Sequence, residues 1–159
     1  MTDLLSIRNL TVTFPTPRGP VDVVRGISFS LGRERLGIVG ESGSGKSMTG
    51  RSILKLIRPP GRISADEMIF DGIDLIRRSE RQMREIRGAR ISMIMQDPKF
   101  SLNPVMTIGE QIAEALTTHN SVTRRDLRNR VLEMLHAVRI HEPARVAGLY
   151  PHEVSGGVG

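Results

Sequence analysis

The chain has 159 residues, 38% hydrophobic and 25% charged, which is enough for one domain with its own core; the lack of cysteine excludes disulfides and thiolate metal sites. It contains no apolar run of membrane-spanning length and no N-terminal secretory signal, so a soluble fold is expected. The net charge of +6 suits an anionic partner, but aromatic residues make up only 3% of the chain, which disfavours a base-stacking nucleic-acid surface and favours solvated faces near a membrane.

The first half of the chain predicts strands around a single helix. Antiparallel strands are predicted from alternating apolar residues at 4–14, 21–31, 63–70 and 73–76. The Pro/Gly-rich residues 15–20 predict a loop between the first two strands. A short buried strand is predicted at 36–39, followed by a helix from Gly45 to about Ile57, which the prolines and glycine at 59–61 end.

The second half predicts mainly helices. The apolar run ISMIMQ at 91–96 is an exception, because it predicts a second buried parallel strand. Helices are predicted at 79–86, 107–118, 123–138 and 143–149. Ser79 is a candidate N-cap for the first of these helices. Thr107 is a candidate N-cap for the second, where Glu110 completes a capping-box pattern.

Residues 40–47 carry the strongest chemical signal. They match the phosphate-binding pattern G-x-x-x-x-G-K-[ST] through Gly40, Glu41, Ser42, Gly43, Ser44, Gly45, Lys46 and Ser47. The glycines let backbone N–H groups turn toward one anion, the lysine reaches the β- and γ-phosphates, and the serine hydroxyl is a ligand for Mg²⁺. The following helix directs its positive end at the same phosphates. The pattern predicts a nucleoside-triphosphate site; a dinucleotide fingerprint fails because Met48 stands where its third glycine would be.

Four stretches in a fixed order carry a family resemblance. They are LGIVGESGSGKS at 36–47, GRI at 61–63, the segment from Gln96 through SLNP, and YPHE before SGG. Together they resemble the ATP-binding subunit of ABC transporters, in the dipeptide, oligopeptide and nickel importer branch of bacteria. The resemblance implies an α/β P-loop NTPase fold, the N-terminal portion of an ABC ATPase domain. An antiparallel β subdomain with the P-loop core is expected at about 1–104, a helical subdomain at about 105–152, and the start of the signature motif at 153–159.

The resemblance also implies roles for single residues. Gly40–Ser47 would form the phosphate loop for ATP, with Met48 directly after it. Ser47 and Gln96 would hold Mg²⁺, and Gln96 would also position the attacking water. Phe14 stands where the family stacks an aromatic ring on adenine, although a core position in the first strand explains it equally well. Ser155, Gly156 and Gly157 would touch the ATP held by the opposite subunit of a head-to-tail dimer; an ordinary glycine-rich turn is the alternative.

The implied function is that of the motor subunit of an importer for peptides or similar small solutes, which couples ATP binding and hydrolysis to transport. Asp97–Pro104 would dock on the transmembrane permease subunits, and the protein would lie on the cytoplasmic face of the bacterial inner membrane. No nucleic acid is expected as a partner. The transported solute cannot be read from this sequence, because binding proteins and membrane subunits select it.

The main difference between this sequence and the family pattern concerns the catalytic carboxylates. No stretch of 1–159 matches the Walker B strand or the switch histidine, so this chain alone is expected to be deficient in hydrolysis. An apolar edge is expected to be exposed at 36–39, where a Walker B strand usually lies beside the loop strand. Two alternatives stay open: a remnant that is inert or only binds nucleotide, and a non-transport ABC protein that acts on nucleic acid, which the importer-like SLNP segment disfavours.

Overall fold

A computed structural model describes residues 3–95, 101–119 and 123–154. The chain consists of two units, Met1–Ser92 and Met93–Gly159. The first unit is built on a long β-hairpin of β1 (Leu5–Thr16) and β2 (Gly19–Leu31), which confirms the two predicted strands. The strands extend into the predicted loop, so only two residues connect them. Gly19 takes φ of +111° after this turn, and Thr16 donates from Oγ1 to the Gly19 carbonyl at 2.7 Å.

Strand β1 lies at the centre of an antiparallel sheet with the order β2-β1-β4-β5, and β3 also pairs with β1. The added strands are β3 (Arg62–Ser64), β4 (Glu67–Phe70) and β5 (Ile73–Asp74). A register shift between Ile7 and Leu10, with Asn9 at φ of +53°, lets both apolar residues face the core although their spacing is odd. This bulge explains why the first strand alternates only in part.

Two short helices pack in the first unit. Helix α1 (Lys46–Ile53) follows the phosphate-loop pattern and ends earlier than predicted, because Lys55 takes a left-handed conformation with φ of +51°. Helix α2 (Glu80–Ile86) begins at Ser79 as predicted, and Ser79 and Gln82 form a reciprocal capping box. The core of this unit is formed by residues of β1, β4 and α2 together with Leu75. Its fully buried side chains include Leu10, Val12, Met68, Leu75 and Met83.

The two predicted parallel strands are wrong for this structure. Residues 36–39 are irregular, and the apolar run at 91–95 contributes only an isolated bridge between Arg87 and Ile91. A parallel strand needs a hydrogen-bonded neighbour, and neither segment has a strand partner among the described residues. The apolar exposure expected at 36–39 is present, because Val39 is 93% exposed and Leu36 and Ile38 are about half exposed.

The second unit is helical, as predicted. It contains α3 (Ile108–His119), α4 (Arg124–Ala137), α5 (Pro143–Ala147) and a 3₁₀ turn at Pro151–Glu153. Thr107 and Glu110 form the predicted capping box, with Thr107 N–H donating to Glu110 at 2.8 Å and Glu110 N–H donating to the Thr107 hydroxyl at 3.2 Å. Helix α3 approaches α5 closely at Gly109, where an added Cβ would lie 2.7 Å from the Ala147 carbonyl oxygen.

None of the helices in the described ranges combines the length and the apolar composition that a membrane crossing requires.

The contrast between two valines tests this fold. Val12→Ala removes methyl groups from a fully buried site and should lower the free energy of unfolding by about 2 kcal/mol. Val39→Ala makes the same chemical change at a site that is 93% exposed and should alter stability by less than about 0.5 kcal/mol. Urea denaturation of the two variants measures both effects. Equal losses would contradict the irregular, exposed state of residues 36–39.

The capping box of α3 predicts a pH dependence. Hydrogen bonds from the Thr107 backbone and hydroxyl hold the pKa of Glu110 below its usual value. The folded state therefore gains stability from Glu110 above its ordinary pKa of about 4.3, and loses it as pH falls through the lowered value. Glu110→Gln should flatten this part of the stability-against-pH profile, and Thr107→Val should flatten it in part because the backbone donor remains. Urea titrations across acid pH measure the profile; an unchanged profile in Glu110→Gln would refute the assignment.

Candidate functional site

The loop before α1 has a backbone that a side chain would disturb. Gly43 and Gly45 take φ of +82° and +94°, in the left-handed region that favours glycine. A Cβ on Gly45 would lie 2.7 Å from the carbonyl oxygen of Val23 on β2. The start of α1 therefore rests directly on the backbone of the hairpin, and the loop is shaped by the sheet beneath it.

The first turn of α1 offers backbone donors without a competing side chain. Gly45 is its N-cap, makes no side-chain cap hydrogen bond, and is followed by no acidic residue in the first turn. The first N–H groups of a helix have no partner within the helix and lie at its positive end. Ser47 is exposed in this turn. This donor set fits the phosphate groups of a nucleotide.

The ammonium of Lys46 is held inside the loop. Its Nζ donates to the carbonyl oxygens of Gly40 and Glu41 at 2.7 and 2.6 Å, and to the Ser44 hydroxyl at 3.3 Å. These acceptors use all three ammonium protons. The loop thus closes around its own cation, and a phosphate oxygen that contacts Nζ must replace one of these acceptors.

Two buried hydroxyl groups of α1 donate to carbonyl groups one turn earlier in the same helix. Thr49 Oγ1 donates to the Gly45 carbonyl at 3.1 Å, and Ser52 Oγ donates to the Met48 carbonyl at 2.6 Å. Both residues are buried, and the Met48 side chain packs against the core. Met48 therefore presents its backbone N–H, rather than its side chain, to the end of the helix where an anion would lie. Sequence reasoning missed Thr49 and Ser52, because a hydroxyl bonded to its own helix leaves no motif.

Phe14 lies near the tip of the hairpin, opposite Val21, and is partly buried. It packs against the core, and an added Cβ on Gly61 would lie 2.7 Å from its ring and 2.6 Å from Ile57. The core explanation of Phe14 is supported by this packing. Its contact with adenine stays a prediction.

Several predicted site residues lie outside the described ranges. They are Gln96, the first part of the docking segment at 97–100, and the signature residues Ser155, Gly156 and Gly157. Of the predicted Mg²⁺ ligands, Ser47 is the one that the structure places. Residues 3–95, 101–119 and 123–154 contain no group of three or more His, Asp or Glu side chains arranged to hold a metal ion. Ligation of Mg²⁺ by Ser47 stays a prediction.

The described end of the docking segment has a defined shape. Gln111 on α3 accepts from the Asn103 N–H at 2.8 Å, and its amide donates to the Asn103 and Met106 carbonyls, both at 3.0 Å. Leu102 and Val105 are exposed on this loop. Sequence reasoning missed Gln111, because a side-chain amide that binds backbone groups eight residues away has no recognisable pattern.

A cavity of about 320 Å³ lies in the second unit, between α3, α4 and α5. Its lining is mostly apolar, with Glu110 and Arg128 as the charged members. It contains none of the phosphate-loop residues. The candidate site at 40–47 is defined instead by backbone donors and one lysine.

Comparison with known proteins decides the family. A family model described as "ABC transporter" matches residues 24–158. The chain belongs to the ABC transporter family. This assignment confirms the resemblance that the phosphate loop, the Gln96 segment and the YPHE stretch indicate in the sequence.

The relatives and the solved structures agree with this assignment. The chain is 44% identical to the oligopeptide transport ATP-binding protein OppD of Bacillus subtilis over 99% of its length, and 46% identical to the dipeptide transport ATP-binding protein DppD of the same organism. It spans about half of these relatives, 45% and 48% of their lengths. The dimeric bacterial ABC transporter cassette MJ0796 superposes with a TM-score of 0.74 at 24% identity, covering 96% of this chain and 64% of that one. The predicted fold class, an N-terminal portion of an ABC ATPase domain, is confirmed.

Gly43 and Gly45 allow a matched test of how the phosphate loop is held. Gly43→Ala and Gly45→Ala both force a left-handed φ on alanine, which costs about 1–2 kcal/mol. Only the Gly45 variant also drives a methyl group against the Val23 carbonyl, since nothing lies within 4 Å of a Cβ at Gly43. Gly45→Ala should therefore lose more stability in urea denaturation than Gly43→Ala. Equal losses would mean that α1 does not rest on β2 at this point.

Proposed function

We propose that this chain is the ATP-binding part of an importer for peptides or similar small solutes. The observation that carries the proposal is the phosphate loop, where the uncapped first turn of α1 begins at Lys46 and the loop carbonyls hold the Lys46 ammonium. The relatives support the solute class, because their names are those of oligopeptide and dipeptide transport ATP-binding proteins.

The residues at the loop divide the work of holding MgATP. The N–H groups of the loop and of the first α1 turn bind the phosphates, and the Lys46 ammonium lies among the β- and γ-phosphates. Ser47 contributes its hydroxyl to Mg²⁺, with Gln96 as the second protein ligand. Phe14 stacks on the adenine in this proposal, although its ring also packs beside Gly61.

The partners follow from the family resemblance. Asp97–Pro104 dock on transmembrane permease subunits at the cytoplasmic face of the inner membrane. The Gln111-held loop and the exposed Leu102 support this docking, since an apolar side chain on a fixed loop suits a protein partner. A second ATP-binding subunit places its signature residues, the equivalents of Ser155, Gly156 and Gly157, on the nucleotide in a head-to-tail dimer.

We propose further that this chain by itself is deficient in ATP hydrolysis. No residue of 1–159 matches the Walker B carboxylates or the switch histidine of the family. Phosphoryl transfer needs groups that position water and neutralise charge, and Lys46 and Ser47 supply only the phosphate and metal contacts. The 159-residue chain therefore binds MgATP and turns it over far more slowly than a complete family ATPase.

Calorimetric titration of the 159-residue chain with MgATP tests the proposal. Lys46→Ala should weaken binding by at least about tenfold, because it removes a charge-assisted contact to the phosphates. Arg130→Ala removes an exposed cation from α4 in the other unit and should leave affinity unchanged. Release of phosphate, followed in the same samples, should stay at the background level of the Lys46→Ala variant.

Three results would contradict parts of the proposal. Absence of Lys46-dependent binding would favour an inert remnant. Steady, Lys46-dependent turnover would refute the hydrolytic deficiency. Salt-dependent RNA binding, without co-purification of a permease subunit from cells, would favour the alternative of an ABC protein that acts on nucleic acid.

A further inference from the structure

The end of α1 that lies away from the phosphate loop is held by Arg87, which directly follows α2. Arg87 donates from Nε to the Leu54 carbonyl at 2.7 Å and from Nη2 to the Lys55 carbonyl at 3.3 Å. These carbonyl groups directly follow α1, where Leu54 is the C-cap. Arg87 thus satisfies acceptors at the negative end of the helix dipole, which a cation stabilises.

A second contact runs in the opposite direction. Lys55, directly after the C-cap, donates from Nζ to the carbonyls of Ile76 and Arg78 at 3.0 and 2.8 Å. These carbonyls lie in the segment that leads into α2. Side-chain-to-backbone bonds in both directions therefore join the C-terminal end of α1 to the residues that flank α2, and we call this set of contacts, made by Lys55 and Arg87, the α1–α2 brace.

The guanidinium of Arg87 is fixed on its other side as well. Its Nη1 and Nη2 donate to the two carboxylate oxygens of Glu80 at 2.6 and 3.1 Å. The hydrogen bond from Arg87 is the main cause that lowers the pKa of Glu80. The Arg87 side chain is only 19% exposed, so this cation is more desolvated than the exposed arginines of α2. A planar fork that binds one carboxylate and two carbonyls has little freedom to rotate.

We infer that Arg87 is a positioning residue for nucleotide binding, because it fixes the C-terminal end of α1 and thereby the phosphate loop at the other end. Helix α1 has eight residues, and a helix of this length is not stable in water by itself. Its order depends on contacts at its two ends and on one face. The Gly45 end rests on β2, and the α1–α2 brace holds the Leu54 end. This inference rests on the proposed ATP site. It adds to the residues that serve this site Arg87, which lies 41 positions after Lys46, at the C-terminal end of α2.

Hydrogen exchange followed by NMR on the 159-residue chain tests the brace without nucleotide. Arg87→Gln should accelerate exchange of the α1 amides by on the order of tenfold, because charge-assisted bonds to the carbonyls of Leu54 and Lys55 are lost. Amides of β1 should exchange as in the wild type. Arg84→Gln is the matched control, because it removes a cation from α2 that makes no bond to α1 among the described residues. The Arg84 side chain is 76% exposed, and its Nε lies 4.0 Å from a carboxylate oxygen of Glu80. It should leave α1 unchanged.

Titration with MgATP then tests the link to the site. In Arg87→Gln the dissociation constant should rise several-fold, on the order of threefold to tenfold, because part of the binding free energy must order α1. Arg87→Lys keeps one cationic donor and should recover part of both effects. It also serves as the measurable variant if Arg87→Gln does not fold.

Each outcome decides a separate question. Equal α1 exchange in the wild type and the Arg87 variants, or equal acceleration throughout β1, would overturn the positioning role. Faster α1 exchange with unchanged MgATP affinity would overturn the link to nucleotide. If the wild type shows no Lys46-dependent binding, the proposed function fails, whereas the exchange result still decides whether Arg87 holds α1.

Discussion

The contact between the backbone of Gly45 and that of Val23 is the constraint on which the candidate site depends. An added Cβ would lie 2.7 Å from the Val23 carbonyl oxygen, so the chain can enter α1 at this place only with glycine and only with its left-handed φ. The position of the helix start determines where its free N–H groups, Lys46 and Ser47 lie. Because the hairpin carries this contact, the order of the loop derives from the sheet and not from the loop residues alone.

Lys46 makes contacts with the loop's own oxygen acceptors, which order the loop. Its ammonium is bound by two carbonyl oxygens and one hydroxyl of the loop, which replaces hydration by fixed protein dipoles. In the proposed site, a bound phosphate would replace one of these oxygen acceptors, and the cation would not have to be moved from bulk water. The loop loses most of its conformational entropy during folding, so less of the interaction free energy is needed to order it on binding.

Local signals account for the parts of the fold that the sequence predicted well. Ser79 with Gln82, and Thr107 with Glu110, are pairs three residues apart, and each forms the reciprocal capping box that its spacing allows. The helices of the second unit and the β1–β2 hairpin were likewise predicted from periodicity. The strand predicted at 36–39 was wrong because a buried parallel strand depends on neighbours in space, which no local pattern contains.

The sequence by itself determined the family, because its ordered motifs indicate the ABC transporter family, and the spacing of residues 40–47 predicts a phosphate loop. Only the tertiary structure decided what holds this loop in place. The bond from Arg87 to Leu54 joins residues 33 positions apart, and the ring of Phe14 lies against Gly61. Such contacts are made to backbone atoms, which every residue possesses. They therefore leave no residue-type signature, and the folded chain alone shows which side chain reaches which carbonyl group.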